Sequence, residues 1–178
     1  MRVLKFGGTS VGSVANINQV INIVSNEAKQ DRITVVVSAL GGITDLLMQC
    51  GIQASTKEDY APIFNEIEAK HLEFVKALVP DDSDAINEIQ GLLDDLNSLL
   101  NGIYLINELS PKTVDKLLAY GEILSSSIIA RAMYAKGLDA ARKDSRDLIT
   151  TNDKHTKAGV NYKVTNSQLE YYFAKAKQ

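Results

Sequence analysis

Apolar runs that end in glycine alternate with helical stretches over the first part of the chain. The runs Val3–Phe6 and 33–37 are short, apolar and rich in branched residues, which is typical of strands. Apolar residues recur at helical spacing over about Val14–Lys29 and again over about Thr44–Ser55. This β-α-β-α order predicts an α/β fold with a parallel sheet and right-handed crossovers.

Two long helical patterns follow these elements. Apolar residues recur every three or four positions over 61–78 and again over 83–109, where they are Ile86, Ile89, Leu93, Leu96, Leu100 and Ile103. The second set keeps a heptad-like register, so it is compatible with coiled-coil pairing to another subunit. Because Pro80 to Ser83 supplies a turn and a helix cap, the sequence favours a helical hairpin that is inserted over about 60–109 and packs on its own chain.

The rest of the pattern predicts two further helices. A hydroxyl cap before proline, Ser110-Pro111, begins a helix that is expected to end near Gly137. A last helix is expected over about 166–177. Between them, the polar segment 154–159 is expected to form a mobile loop.

The amino-acid composition is that of a globular domain, and it argues against nucleic acid and membranes as partners. The 178 residues are 45% hydrophobic and 23% charged, which fits a buried core and not a disordered chain. A net charge of −3 gives no broad cationic surface for nucleic acid. No stretch approaches the roughly 20 apolar residues of a membrane span, and the start has no secretory h-region, so the cytoplasm is the expected location.

Metal binding and cysteine chemistry are not expected. His71 falls on an apolar helical stripe and His155 in a polar segment, so the two histidines do not form a ligand set. The acidic run 81–84 lacks the glycine and the distal glutamate of a calcium loop. Cys50 is the single cysteine and has no basic neighbour, so it is expected to be a small buried apolar residue.

Both predicted strands lead directly into a pair of glycines. Gly7-Gly8 follows the first strand and Gly41-Gly42 the second, and ligands bind outside the carboxyl ends of parallel strands. Glycines let the backbone approach a phosphate group, and the next helix directs its free N–H groups to the same point. A tight structural turn explains one such pair equally well. Two pairs, together with the cation of Lys5 at the strand end, favour phosphate chemistry.

Two common nucleotide motifs do not fit these glycines. In a Walker loop the lysine follows the glycines, whereas Lys5 precedes them. The spacing of Gly7, Gly8 and Gly12 also differs from the G-x-G-x-x-G of dinucleotide-binding folds. A phosphate site of another kind is therefore predicted.

Three blocks of the sequence resemble the aspartokinases of the amino-acid kinase superfamily. They are Lys5–Val11, Val37–Thr44 and the Tyr-Gly-Glu sequence at 120–122, which occur in the same order and at similar spacing. The resemblance covers residues 1 to about 178 and implies the N-terminal part of that family's catalytic domain, with its parallel-sheet core. It also implies a third strand over Asp139–Lys143, and it leaves open whether a homoserine dehydrogenase is fused downstream.

The resemblance implies transfer of the ATP γ-phosphoryl group to the side-chain carboxylate of L-aspartate, the first step towards lysine, threonine and methionine, with Mg²⁺ accompanying the nucleotide. The site residues that it implies are Lys5 for catalysis, Gly7, Gly8, Thr9 and Ser10 for phosphate binding, and Ser38, Thr44 and Glu122 for substrate binding. Glu122 would face the α-ammonium group from a partly apolar helix face. The whole enzyme would be a homo-oligomer.

The sequence lacks the G-R-G-G-S-D-like block that this family uses on its nucleotide side. We therefore expect an N-terminal portion of the kinase domain without most of the ATP and Mg²⁺ site or any regulatory domain, and no turnover by this chain alone. Two alternatives remain open. One is another small-carboxylate kinase of the superfamily, acting for example on glutamate or carbamate, and the other is a non-catalytic subunit that binds aspartate or assembles with a partner.

Overall fold

Two parallel strands begin the chain, β1 over Arg2–Phe6 and β2 over Ile33–Val37. In the computed structural model, which describes residues 1–175, the two strands pair with each other along their full length. Helix α1, over Val14–Ala28, supplies the crossover that parallel strands require. The predicted strands and their parallel pairing are confirmed, and the carboxyl ends of β1 and β2 lie side by side.

The described residues divide into two compact units. The first covers Met1–Arg142 and contains β1, β2 and helices α1 to α5, and the second begins at Lys143. The core of the first unit lies between the helices and one face of the sheet, where Phe6 and Val35 pack against buried side chains. All the residues of the candidate site discussed below belong to this unit.

Four long helices follow β2 and build most of the first unit. They are α2 over Ile43–Ser55, α3 over Ala61–Leu78, α4 over Ser83–Ile106 and α5 over Pro111–Ala135. Helix α4 packs against α2, α3 and α5. Its apolar stripe is at most 1% exposed at Ile89, Leu93, Leu96, Leu100 and Ile103. The heptad-like stripe is therefore covered within its own chain, which confirms the predicted hairpin.

Side-chain caps set several of the helix ends where the sequence places them. The hydroxyl of Ser13 accepts from the N–H of Asn16 at the start of α1, and that of Ser110 accepts from Thr113 at the start of α5. Helix α4 ends three residues before the predicted Leu109, because Asn107 adopts a left-handed conformation with φ of 56°.

Cys50 and His71, for which the sequence predicted no reactivity or metal binding, both lie in the core. Cys50 is fully buried, and burial raises the pKa of its thiol to about 11, so the unreactive thiol form dominates at neutral pH. His71 is also fully buried, with Nδ1 2.7 Å from the carbonyl oxygen of Ile67. Burial lowers the pKa of His71 to about 4, so its imidazole is neutral in the folded protein at neutral pH.

The predicted third strand over Asp139–Lys143 is wrong. These residues are irregular and form no ladder with β2. The N–H of Ala140 donates to the carbonyl of Leu138 at 2.8 Å, which bends the chain in a tight local turn. The side chain of Arg142 also donates to the hydroxyl of Ser126 on α5 at 3.0 Å. Alanine-rich sequence gives little intrinsic preference for an extended strand, so these local bonds prevail.

The second unit contains a 3₁₀ turn over Ser145–Asp147 and a helix, α6, over Tyr162–Lys175. Helix α6 begins four residues before the predicted start, and the predicted end at Lys177 lies outside the described residues. The polar segment 154–159 is a turned loop, in which the side chain of Asn152 accepts from the N–H groups of Lys154 and Gly159, both at 3.1 Å. Nothing in these contacts tests the predicted mobility of the loop.

Candidate active site

The two glycine turns touch each other at the carboxyl edge of the sheet. A Cβ atom added to Gly41 would lie 3.4 Å from the Cα of Gly12 and 3.5 Å from the carbonyl oxygen of Gly8. A Cβ atom added to Gly12 would lie only 3.1 Å from that same oxygen. A side chain at Gly41 would make ordinary contact with the first turn, whereas one at Gly12 would be crowded by the carbonyl of Gly8 within the first turn itself, so the tight packing favours glycine most at position 12.

Lys5 reaches over the first of these turns. Its side chain is exposed, and its Nζ atom lies 3.3 Å from the position that a Cβ of Gly7 would occupy. The backbone of Lys5 pairs with Val36 on the neighbouring strand, which fixes the base of the side chain. The structure therefore places the Lys5 ammonium close to Gly7, in the first glycine turn.

Thr9 and Ser10 complete the first turn and are both exposed. The N–H of Ser10 donates to the carbonyl of Gly7 at 2.9 Å, and the side-chain amide of Asn16 donates to the carbonyl of Thr9 at 2.9 Å. Asn16, in the first turn of α1, thus ties the loop to the helix that follows it. Both carbonyls are held by protein donors, which keeps them from facing an anion.

Several backbone N–H groups at the two turns have no acceptor within residues 1–175. Those of Gly8, Gly41 and Gly42 make no hydrogen bond to any other group of that range. Helix α2 also begins without a side-chain cap, after Gly42 in a left-handed conformation with φ of 82°. Unpaired N–H groups and the positive end of a helix dipole attract negative charge, so this arrangement suits an anion such as a phosphate group.

Helix α5 contacts the residues that lead into the second turn. The side-chain oxygen Oε1 of Glu122 accepts from the N–H of Ala39 at 3.2 Å, and the hydroxyl of Ser125 donates to the carbonyl of Ser38 at 2.8 Å. The Ser38–Ala39 peptide group is therefore bonded at both of its polar atoms. Gly121 permits this contact, because a Cβ there would lie 2.7 Å from the Cβ of Ala39.

The three predicted substrate residues lie around this second turn. Ser38 is half-buried, Thr44 is exposed in the first turn of α2, and Glu122 contacts Ala39. Glu122 itself is exposed. Its neighbours Gly121 and Ile123 are buried, and the carboxylate extends past them to the turn.

Lys70 and Ser125 also contact the second turn, and sequence reasoning missed both. Lys70, on α3, donates from Nζ to the carbonyl oxygen of Gly41 at 2.7 Å. A signal was present, because Lys70 occupies a stripe position between Ile67 and Phe74 at spacings of three and four residues. Ser125 is a fully buried hydroxyl on the apolar side of α5. In both cases a polar residue lies among apolar helix positions, half-buried at Lys70 and fully buried at Ser125.

Metal-binding and membrane-spanning features are not found in the described residues. No group of three or more His, Cys, Asp or Glu side chains among residues 1–175 is arranged to hold a metal ion. Over the same residues, every helix is too short or too polar to cross a bilayer.

Comparison with known proteins now decides the family. The model of the family described as "Amino acid kinase family" matches residues 1–177. The chain belongs to the amino acid kinase family. An aspartokinase of Candida albicans is 32% identical to this chain, in a match that covers 83% of this chain and 28% of the relative. Aspartokinase 1, chloroplastic, of Arabidopsis thaliana is 31% identical, in a match that covers 85% of this chain and 27% of the relative.

Solved structures of amino acid kinases share the fold. Escherichia coli aspartokinase III in complex with aspartate and ADP matches 96% of this chain and 37% of its own chain, with a TM-score of 0.83 and 25% identity. The same enzyme in complex with lysine and aspartate matches 98% of this chain and 38% of its own, with a TM-score of 0.85. The chain thus spans between about a quarter and two fifths of the length of these relatives.

Proposed function

We propose that this chain forms the aspartate-binding and phosphate-facing part of an aspartate kinase. The enzyme would transfer the γ-phosphoryl group of ATP to the side-chain carboxylate of L-aspartate, giving 4-phospho-L-aspartate and ADP on the route to lysine, threonine and methionine. One observation carries the proposal. The Lys5 ammonium lies over the first of two touching glycine turns, and the Glu122 carboxylate on α5 contacts the second turn. The likeness to proteins named aspartokinase supports the choice of substrate.

The phosphate end of the site would act through charge and position. In the transfer, the bond from the γ-phosphorus to the ADP oxygen breaks, and a bond from that phosphorus to a carboxylate oxygen forms. Lys5 would neutralise the negative charge on the moving group, and the N–H groups of Gly8, Gly41 and Gly42 would orient its oxygens. Thr9 and Ser10 would add hydroxyl donors at the rim of the first turn.

The amino-acid end of the site would recognise L-aspartate by its charges. Glu122 would accept from the α-ammonium group through the carboxylate oxygen that Ala39 does not hold. Ser38 and Thr44 would donate hydroxyl hydrogens to a substrate carboxylate. The attacking carboxylate has a reference pKa of about 4 and is already ionised at neutral pH, so the reaction needs no general base from the chain.

Residues 1–175 contain no cluster of three or more ligating side chains, and Mg²⁺ that accompanies a nucleotide is usually held by one or two carboxylates together with the substrate phosphates. Mg²⁺ would therefore be held mainly by the nucleotide and would help to neutralise the charge of its phosphates. We also propose that ATP is the phosphoryl donor and that the enzyme is a cytoplasmic homo-oligomer.

Calorimetric titration of the purified chain with L-aspartate and L-glutamate tests the substrate. We expect L-aspartate to bind at least ~10-fold more tightly, since one methylene in a fitted pocket changes affinity by about 10- to 200-fold. Tighter binding of L-glutamate would instead identify another small-carboxylate kinase. Binding of neither amino acid, together with a stable hetero-assembly in light scattering, would favour a non-catalytic subunit.

A further inference from the structure

Lys70 brings the helical hairpin into contact with the candidate site. The lysine lies on α3, the first helix of the hairpin, and its ammonium donates to the carbonyl oxygen of Gly41 at 2.7 Å. The side chain is half-buried, and no Asp or Glu of residues 1–175 lies within 4.0 Å of its Nζ atom. The carbonyl oxygen of Gly41 is therefore the acceptor that the described residues provide for this ammonium.

The Gly41 carbonyl belongs to the same peptide group as the N–H of Gly42. That N–H makes no hydrogen bond within the described residues and precedes the uncapped start of α2. A charged donor on the oxygen of a peptide group polarises it and strengthens the N–H as a donor. The bond from Lys70 also fixes the rotation of this peptide group, and Gly41 in turn contacts Gly12 and Gly8. A change at Lys70 would therefore reach both glycine turns.

We propose that Lys70 is a positioning residue for the anion that binds at the two glycine turns. It holds and polarises the Gly41–Gly42 peptide group so that the Gly42 N–H faces the anion, and it adds a positive charge at the second glycine turn. The α3–α4 hairpin is then part of the anion site and not an inert insertion. The inference rests on the proposed function, in which the bound anion is a transferable phosphoryl group.

Two readouts on the purified chain, with inorganic phosphate as the probe, test this role. The first is the phosphate dissociation constant, and the second is the amide chemical shift of Gly42 in the unliganded protein, which reports polarisation of its peptide group. Lys70→Met removes the donor, Lys70→Arg restores a charged donor, and Lys76→Met removes an exposed lysine from the same helix as a matched control.

We expect Lys70→Met to weaken phosphate binding by about tenfold or more and to shift the Gly42 amide signal upfield, since bonds to charged groups are among the stronger ones. Lys70→Arg is expected to restore both readouts, and Lys76→Met to leave both unchanged. If Lys70→Met unfolds the chain, Lys70→Gln keeps an uncharged donor and should show the same loss of affinity in a folded protein.

Unchanged phosphate affinity and an unchanged Gly42 signal in Lys70→Met would overturn the role of Lys70, while the aspartate kinase proposal would stand. Equal loss in Lys70→Met and Lys76→Met would also overturn it, because the effect would then be a general charge effect. Preference for L-glutamate in the calorimetric titration would remove the proposed substrate and leave the phosphate result for Lys70 intact.

Discussion

Lys5→Ala is expected to reduce phosphoryl transfer by at least ~10³-fold, because removing one group that stabilises transition-state charge commonly costs 10²- to 10³-fold and loss of a full charge costs more. The Lys5 side chain is exposed and extends over Gly7, so its removal leaves no cavity in the core. We therefore expect the fold and the thermal midpoint to be unchanged.

Turnover for this comparison is best measured in a chimera in which the chain replaces the segment of E. coli aspartokinase III that it matches. Acyl phosphate can be trapped with hydroxylamine and followed by colour. Lys112→Ala, which removes an exposed lysine from the first turn of α5, is the control and should keep full activity. Activity of Lys5→Ala close to that of the control would remove Lys5 from the catalytic role.

Glu122→Gln is expected to weaken binding of L-aspartate by about 10- to 100-fold, the effect of losing a hydrogen bond between two charged groups. The substitution is nearly isosteric, and the glutamine side-chain oxygen can still accept from the N–H of Ala39. It therefore removes the negative charge while it keeps the contact between α5 and the second turn.

Succinate provides the matched ligand for this variant, because it has both carboxylates of aspartate but no amino group. Its affinity is expected to be the same in the wild type and in Glu122→Gln, as measured by calorimetry. Glu73→Gln, at an exposed position of α3, should leave both ligands unaffected. Equal weakening of succinate and L-aspartate would show that Glu122 acts only by holding the turn.

The elements around the glycine turns could be predicted because local chemistry specifies them. Short branched runs, glycine pairs and the Ser110-Pro111 cap each act over a few residues, and the structure places β1, β2 and the start of α5 accordingly. The third strand could not be predicted in this way. Residues 139–143 have weak strand preference, so their conformation depends on contacts such as that between Arg142 and Ser126.

The contacts of the site were less predictable than its elements. Helical spacing shows only which face of α5 carries Glu122. The carboxylate reaches the second turn because Gly121 lets α5 pack closely on Ala39, and Glu122 remains exposed there. The apolar pattern of α3 does not by itself indicate a role for Lys70. A cation at a half-buried helix position is nevertheless a detectable signal, since its ammonium requires a nearby acceptor.

L-aspartate and a phosphate group are expected to bind side by side between Lys5 and Glu122. A crystal structure of the chain grown with both ligands tests this arrangement. We expect the α-ammonium group within hydrogen-bonding distance of Glu122 and the phosphate beside the Lys5 ammonium and the N–H of Gly8. L-aspartate ordered elsewhere, or a Lys5 ammonium directed away from both glycine turns, would contradict it.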